Sequence, residues 1–151
     1  MVGEARNKLI PIALEGFVGE VAGVLKFDLE VMGCKVVPLA DAAFVVRGKA
    51  DGSVVGALTD KAGNPGFNRR YSGGNLRDQA HALSNDVIQA LTGVPGIAST
   101  RVLFKMKAGP RAEEVFLSDY DGHKPVALTN DKTLVSAPRW SPDHSKVFYT
   151  T

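Results

Sequence analysis

Three histidines, His81, His123 and His144, and one cysteine, Cys34, are the side chains best suited to proton transfer, metal binding or nucleophilic attack near neutral pH. The histidines share no metal-ligand spacing. His81 falls about one position off the apolar stripe of its helix, which predicts a surface or half-buried structural role. His123 and His144 both follow turns, where solvent exposure is the default. Cys34 opens an apolar segment and reads as a small core residue; a reactive thiol needs a cationic neighbour, and none can be assigned. Ser99 and Thr100 stand beside Arg101 and offer hydroxyls, but no base is in place to activate them. A small hydrolase needs a nucleophile, a base and an orienting group, and the chain offers no such set. The expectation is therefore a non-enzyme with no catalytic, cofactor-binding or metal-binding residue and no cofactor; partner-binding residues stay unassigned.

Three other patterns invite a functional assignment, and each has a simpler structural one. Asp119-Tyr120-Asp121-Gly122 has the D-x-D-G opening of a calcium loop. A full loop needs further oxygen ligands and a closing glutamate, and Asn130 and Asp131 are out of register, so a hairpin turn is expected. Gly73-Gly74-Asn75 precedes a helix but lacks the Lys and Ser/Thr of a phosphate loop, so it reads as a helix entry. Trp140 offers an aromatic face to a partner, but packing between strands is the expected role.

These residues sit on 151 residues of ordinary globular composition, 44% hydrophobic and 23% charged, long enough for a sizeable core. A net charge of +2 with scattered Lys and Arg, Arg69-Arg70 being the nearest to a cluster, argues against a nucleic-acid partner. A lone cysteine excludes an internal disulfide but not the periplasm. No apolar run approaches the roughly 18 residues of a membrane span. The opening MVGEARNKLIPIALEGF is not an intact signal peptide, so export implies a leader already removed.

The elements follow from hydrophobic period and turn residues. Residues 9–14 (LIPIAL) read as a buried strand, with Pro11 placing it at or near a sheet edge. From Glu20, the spacing of Val21, Leu25, Leu29 and Met32 predicts an amphipathic helix. Val24, Phe27 and Val31 widen its stripe, while Glu20, Lys26, Asp28 and Glu30 keep a polar side. Gly33 ends the helix, and residues 34–39 extend. Residues 42–49, 53–59 and 66–72 form a meander, the first two joined by an Asp51-Gly52 turn. In the third, Phe67, Arg69 and Tyr71 share one face.

Asn75 caps a second helix whose stripe is Leu76, Ala80, Leu83, Val87 and Leu91, with Arg77, Asp78, Gln79, Asn85 and Asp86 mostly off it. Gly93 stops that helix, Pro95 prevents continuation, and Gly96 and Ser99 let the chain bend. Beyond it the pattern is all β, with strands at 101–107, 113–118, 125–128, 139–140 and 146–151 separated by Asp-Gly-like turns. The stretch 76–104 is thus the joint between two architectures.

At Leu91-Thr92-Gly93, Gly96 and Thr100-Arg101-Val102 the chain resembles the TolB family of periplasmic β-propeller proteins in the Tol–Pal system. Ser118-Asp119-Tyr120-Asp121-Gly122 resembles the family's SDYDG. Pro138, Trp140, Ser141, Pro142, Asp143, Lys146 and Tyr149 resemble its propeller repeat, P-x-W-SPDG-x-K-x-x-Y. Ile10-Pro11-Ile12-Ala13, Asp28-Leu29 and Gly33 resemble the start of its N-terminal domain. His144 stands where the repeat has Gly, but histidine tolerates positive φ, and the segment 39–42 is shorter than in the family.

The resemblance implies an α+β fold, with a small sheet covered by two helices over residues 1–98. An all-β segment equivalent to about one propeller blade and the opening of the next, of the WD40-like kind, then covers residues 99–151. It implies a periplasmic, non-enzymatic scaffold in envelope integrity and division, with TolA contacted through an N-terminal arm (residues 1–8) and the lipoprotein Pal through the propeller. The family's propeller has six blades, so the expectation is a piece of a longer chain or a blade that pairs with another chain. An open blade has unpaired edges, so the alternative is a self-assembling, strand-pairing module, a homo-oligomer unrelated to Tol function.

Overall fold

A computed structural model of the chain describes residues 8–151; residues 1–7, most of the expected TolA-binding arm, lie outside the described residues. Two compact units divide the chain, one reaching Ser99 and one running Thr100–Thr151. In the described residues no helix is long and apolar enough to cross a membrane.

The first unit runs β1 (Ile10–Glu15), α1 (Gly19–Val31), β2 (Cys34–Val36), a 3-10 turn (Leu39–Asp41), β3 (Phe44–Asp51), β4 (Ser53–Asp60), β5 (Pro65–Arg70) and α2 (Leu76–Thr92). The five strands form one mixed sheet in the order β2-β1-β3-β4-β5. β1 runs parallel to both its neighbours, while β3, β4 and β5 form the antiparallel meander. Pro11 therefore lies near an edge, in the strand next to the edge strand β2 and not in the edge strand itself. Its ladder with β3 begins only at Ile12, so the missing N–H removes no ladder bond, and its carbonyl accepts from Ala43 N.

Alternation decides the faces of the sheet. Val46 on β3 and Val54 and Leu58 on β4 are buried beneath the helices with Ile12 and Cys34. From α1 come Val21, Val24, Leu25 and Leu29; from α2 come Ala80, Leu83, Val87 and Ile88. Among the described residues the opposite face carries a small cluster of Ala13, Ala42 and Val45. On α1, Phe27 and Val31 are 44% and 52% exposed, so they do not widen the buried stripe. Gly33, at φ +99°, takes the left-handed position past the helix end.

The second unit contains β6 (Arg101–Gly109), β7 (Ala112–Asp119), β8 (Val126–Ala127), β9 (Ser136–Trp140) and β10 (Val147–Thr150). β6, β7 and β8 form an antiparallel sheet in that order, and β9 pairs with β10. Phe104 and Phe116 face each other across β6 and β7 with their rings stacked at 6.0 Å. Val115 and Val135 are this unit's fully buried apolar side chains, while Val102, Met106, Val126, Leu128, Leu134 and Phe148 are exposed.

Candidate functional site

The buried polar groups of the first unit stand between its helices and its sheet. Asp28 of α1 is 0% exposed and His81 of α2 is 3% exposed; Oδ2 of Asp28 lies 2.8 Å from Nδ1 of His81. Neither is where the sequence pattern puts it: Asp28 is not on the polar side, and His81 is not at or near the surface. Asp28 does lie three residues past Leu25 and four past Val24, so its spacing belongs to the buried face. An imidazole–carboxylate pair orients a proton wherever a substrate can reach it. Here both groups are sealed under side chains, so the pair joins α1 to α2 and does not meet a substrate. Nearer the surface, Arg77 of α2 pairs with Glu20 of α1 at 3.2 Å.

Gln79 is also buried. Its Oε1 accepts from Val54 N at 2.8 Å and its Nε2 donates to Gly73 O, tying α2 to the start of β4. At the edge strand, Tyr71 Oη and Arg69 both donate to Asp86 Oδ2, at 2.6 and 2.7 Å, so the face shared by Phe67, Arg69 and Tyr71 turns to α2. Burial and the Asp86 carboxylate push the Tyr71 phenol upward. Burial raises the Cys34 thiol to about 11, which keeps it protonated and unreactive at neutral pH.

Gly73-Gly74-Asn75 is a helix entry. Asn75 Oδ1 accepts from Asp78 N at 2.9 Å, and Asp78 Oδ2 accepts from Asn75 N at 3.0 Å. An anion meets a carboxylate there instead of free N–H groups. At the other end of α2, Thr92 Oγ1 donates to Ile88 O and accepts from Val94 N. Gly93 adopts φ +74°, and its N–H donates to Gln89 O. Gly96 has a different reason to be glycine: a Cβ there would come within 2.3 Å of Asn85 Oδ1. Asn85 in turn accepts from Ala98 N and donates to Ser99 Oγ. The bend is therefore clamped on α2, and the Ser99 hydroxyl meets an amide, not a base.

In the second unit the motifs are turns. Asp119 N donates to His123 O, Gly122 N to Asp119 O, and His123 N to Asp121 Oδ1, which closes SDYDG into the turn between β7 and β8. Among the described residues no group of three or more His, Cys, Asp and Glu side chains is arranged to hold a metal. In SPDH, His144 N donates to Ser141 O, and Asp143 accepts from the hydroxyls of Ser141 and Ser145. Those hydroxyls hold the Asp143 carboxyl at about 2. His144 takes φ +57°, the left-handed conformation.

Trp140 is half-buried and not enclosed between strands; its ring meets His144 edge-on at 6.4 Å. Glu114 is the buried acid here. It accepts from Thr129 Oγ1, Asp131 N and Lys132 N, which together hold its carboxyl below the usual range. Each of these groups has a structural role, and none forms a catalytic set.

No family model matches the chain. The chain is 36% identical over 78 residues to the Tol-Pal system protein TolB of Blochmanniella pennsylvanica (strain BPEN), a stretch covering 50% of this chain and 17% of that relative. It is 35% identical over 79 residues to the TolB of Blochmanniella floridana, covering 51% of this chain and again 17% of the relative. The crystal structure of TolB from Acinetobacter baumannii matches with a TM-score of 0.81 at 23% identity, across 95% of this chain and 44% of that one. At that identity the structural likeness is one of fold.

Proposed function

From a chain that is TolB-like in sequence and fold, we propose a non-enzymatic protein-binding role in the Tol–Pal system of the periplasm. The observation that carries this is the 36% identity to a Tol-Pal system protein together with the shared α+β fold. Among the described residues, Asp28, Gln79, His81 and Glu114 are buried and Asp121 and Asp143 are bound in turns, which fits a scaffold. In this proposal residues 1–98 are a TolB-like N-terminal domain and residues 99–151 belong to a propeller. The partners are the lipoprotein Pal and TolA. Pull-down of the chain with purified Pal and, separately, with the periplasmic part of TolA tests it. Retention of either supports the role, and failure to retain both overturns it for this chain.

A second proposal rests on a different observation. β6 is nine residues long and among the described residues pairs on one side only, and Val102 and Met106 on it are exposed. Such an edge favours pairing with another strand, including one from a second copy. Light scattering that gives a monomer at all concentrations removes that alternative.

A further inference from the structure

We propose that a hollow at the start of β6 binds a carboxylate. It measures about 460 Å³, within the range of small-ligand sites, and is lined by Thr100, Arg101, Trp140 and His144, all of the second unit. Among the described residues no acidic side chain lines it. Arg101 stands opposite Asp119 in the β6–β7 ladder, yet among the described residues its guanidinium makes no ion pair or hydrogen bond. The indole N–H of Trp140 is likewise uncommitted among the described residues. A guanidinium with its fork of donors free is the group best matched to a carboxylate, which it can hold by two parallel bonds.

His144 adds a separate observation. Its backbone is left-handed at φ +57°, a conformation glycine adopts without strain, and the ring it carries there lies edge-on to Trp140 at the hollow. The turn places an imidazole beside an indole and an unpaired guanidinium, which fits a site that gathers donors around an oxyanion. The indole and imidazole rings supply an apolar wall for the body of the ligand. The site does not depend on the Tol–Pal proposal, since it requires only that an accessible carboxylate meet Arg101.

Trp140 is the single tryptophan of the chain, so its fluorescence reports the hollow directly. The 151-residue chain is titrated with N-acetylphenylalanine, its C-terminal amide, and N-acetylglutamate α-amide. The expected result is a saturable change with a carboxylate and at least tenfold weaker binding of the uncharged amide. Preference for the first acid points to a chain terminus as the natural source, and preference for the glutamate derivative to an acidic side chain. Arg101→Gln should lose at least tenfold in affinity, and Arg101→Lys should recover part of it. His144→Gly, which relaxes the turn, should keep the far-UV spectrum and weaken binding severalfold. Equal binding of acid and amide, no saturable response at millimolar ligand, or full affinity in Arg101→Gln would overturn the proposal.

Discussion

The two units hold themselves together by different means. The first closes a core between two helices and one sheet face, and it buries Asp28, Gln79 and His81 along with its aliphatic side chains. The second encloses Val115 and Val135 and leaves several large apolar side chains exposed. Its order comes from ladders, the SDYDG and SPDH turns, and the carboxylate of Glu114, which closes the loop at Asp131 and Lys132. Burial contributes in proportion to area removed from water, so truncation of an apolar side chain should be felt in the first unit and hardly in the second. The probes separate cleanly: α1 and α2 lie in the first unit and the single tryptophan in the second. Helical circular dichroism therefore follows one, and Trp140 fluorescence the other.

The largest contrast is expected from Leu83→Ala against Leu134→Ala. Leu83 is fully buried against the sheet, and its loss should cost about 2–5 kcal/mol, read as a lower helical melting midpoint. Leu134 is 61% exposed, and its truncation should stay within about 0.5 kcal/mol. Comparable shifts in the two variants would erase the distinction between a closed and an open core.

His81→Ala comes next. It removes the imidazole that Asp28 meets between the two helices, and the loss of that buried contact should cost about 1–3 kcal/mol. Urea unfolding followed by the helical signal checks this. A change below about 0.5 kcal/mol would show that the pair does not join α1 to α2. Gly93→Val should cost about 1 kcal/mol or more in the same assay, because a β-branched residue resists φ +74° at the end of α2.

Local chemistry made much of this architecture legible. Asn75 as a cap, Gly93 as a stop, Gly33 past α1 and the Asp51-Gly52 turn all depend on a few neighbouring residues, and all stand where their residue types place them. What escaped depends on a third element. α2 packs on the sheet and on α1 together, so its buried face is wider than one stripe and takes in Gln79, His81 and Ser84. Pro11 signals nearness to an edge but not which strand is outermost, because its partners are not local: α1 separates β1 from β2, and α1, β2 and the 3-10 turn separate β1 from β3. Trp140 reads as a packing residue by size, but the second unit does not enclose it. The hollow beside it joins the start of β6 to a turn some 40 residues later, a proximity with no periodic trace in the chain.

The smallest expected effect is also the most selective for the second unit. Glu114 and Asp143 both have carboxyls held below their unfolded values, which lie near about 4. A depressed carboxyl stabilises the fold above the unfolded pKa, and the contribution disappears as pH falls through the folded one. For Asp143 that window runs from about pH 4 down to about 2. The Trp140-detected midpoint should therefore be level between pH 7 and pH 5 and fall below pH 4. Glu114→Gln places amide hydrogens against the N–H of either Asp131 or Lys132. It should lower the midpoint at pH 7 and flatten the acid slope. If that variant titrates as steeply as the parent, the acid sensitivity belongs to other carboxylates, and the loop closed by Glu114 is held by its backbone alone.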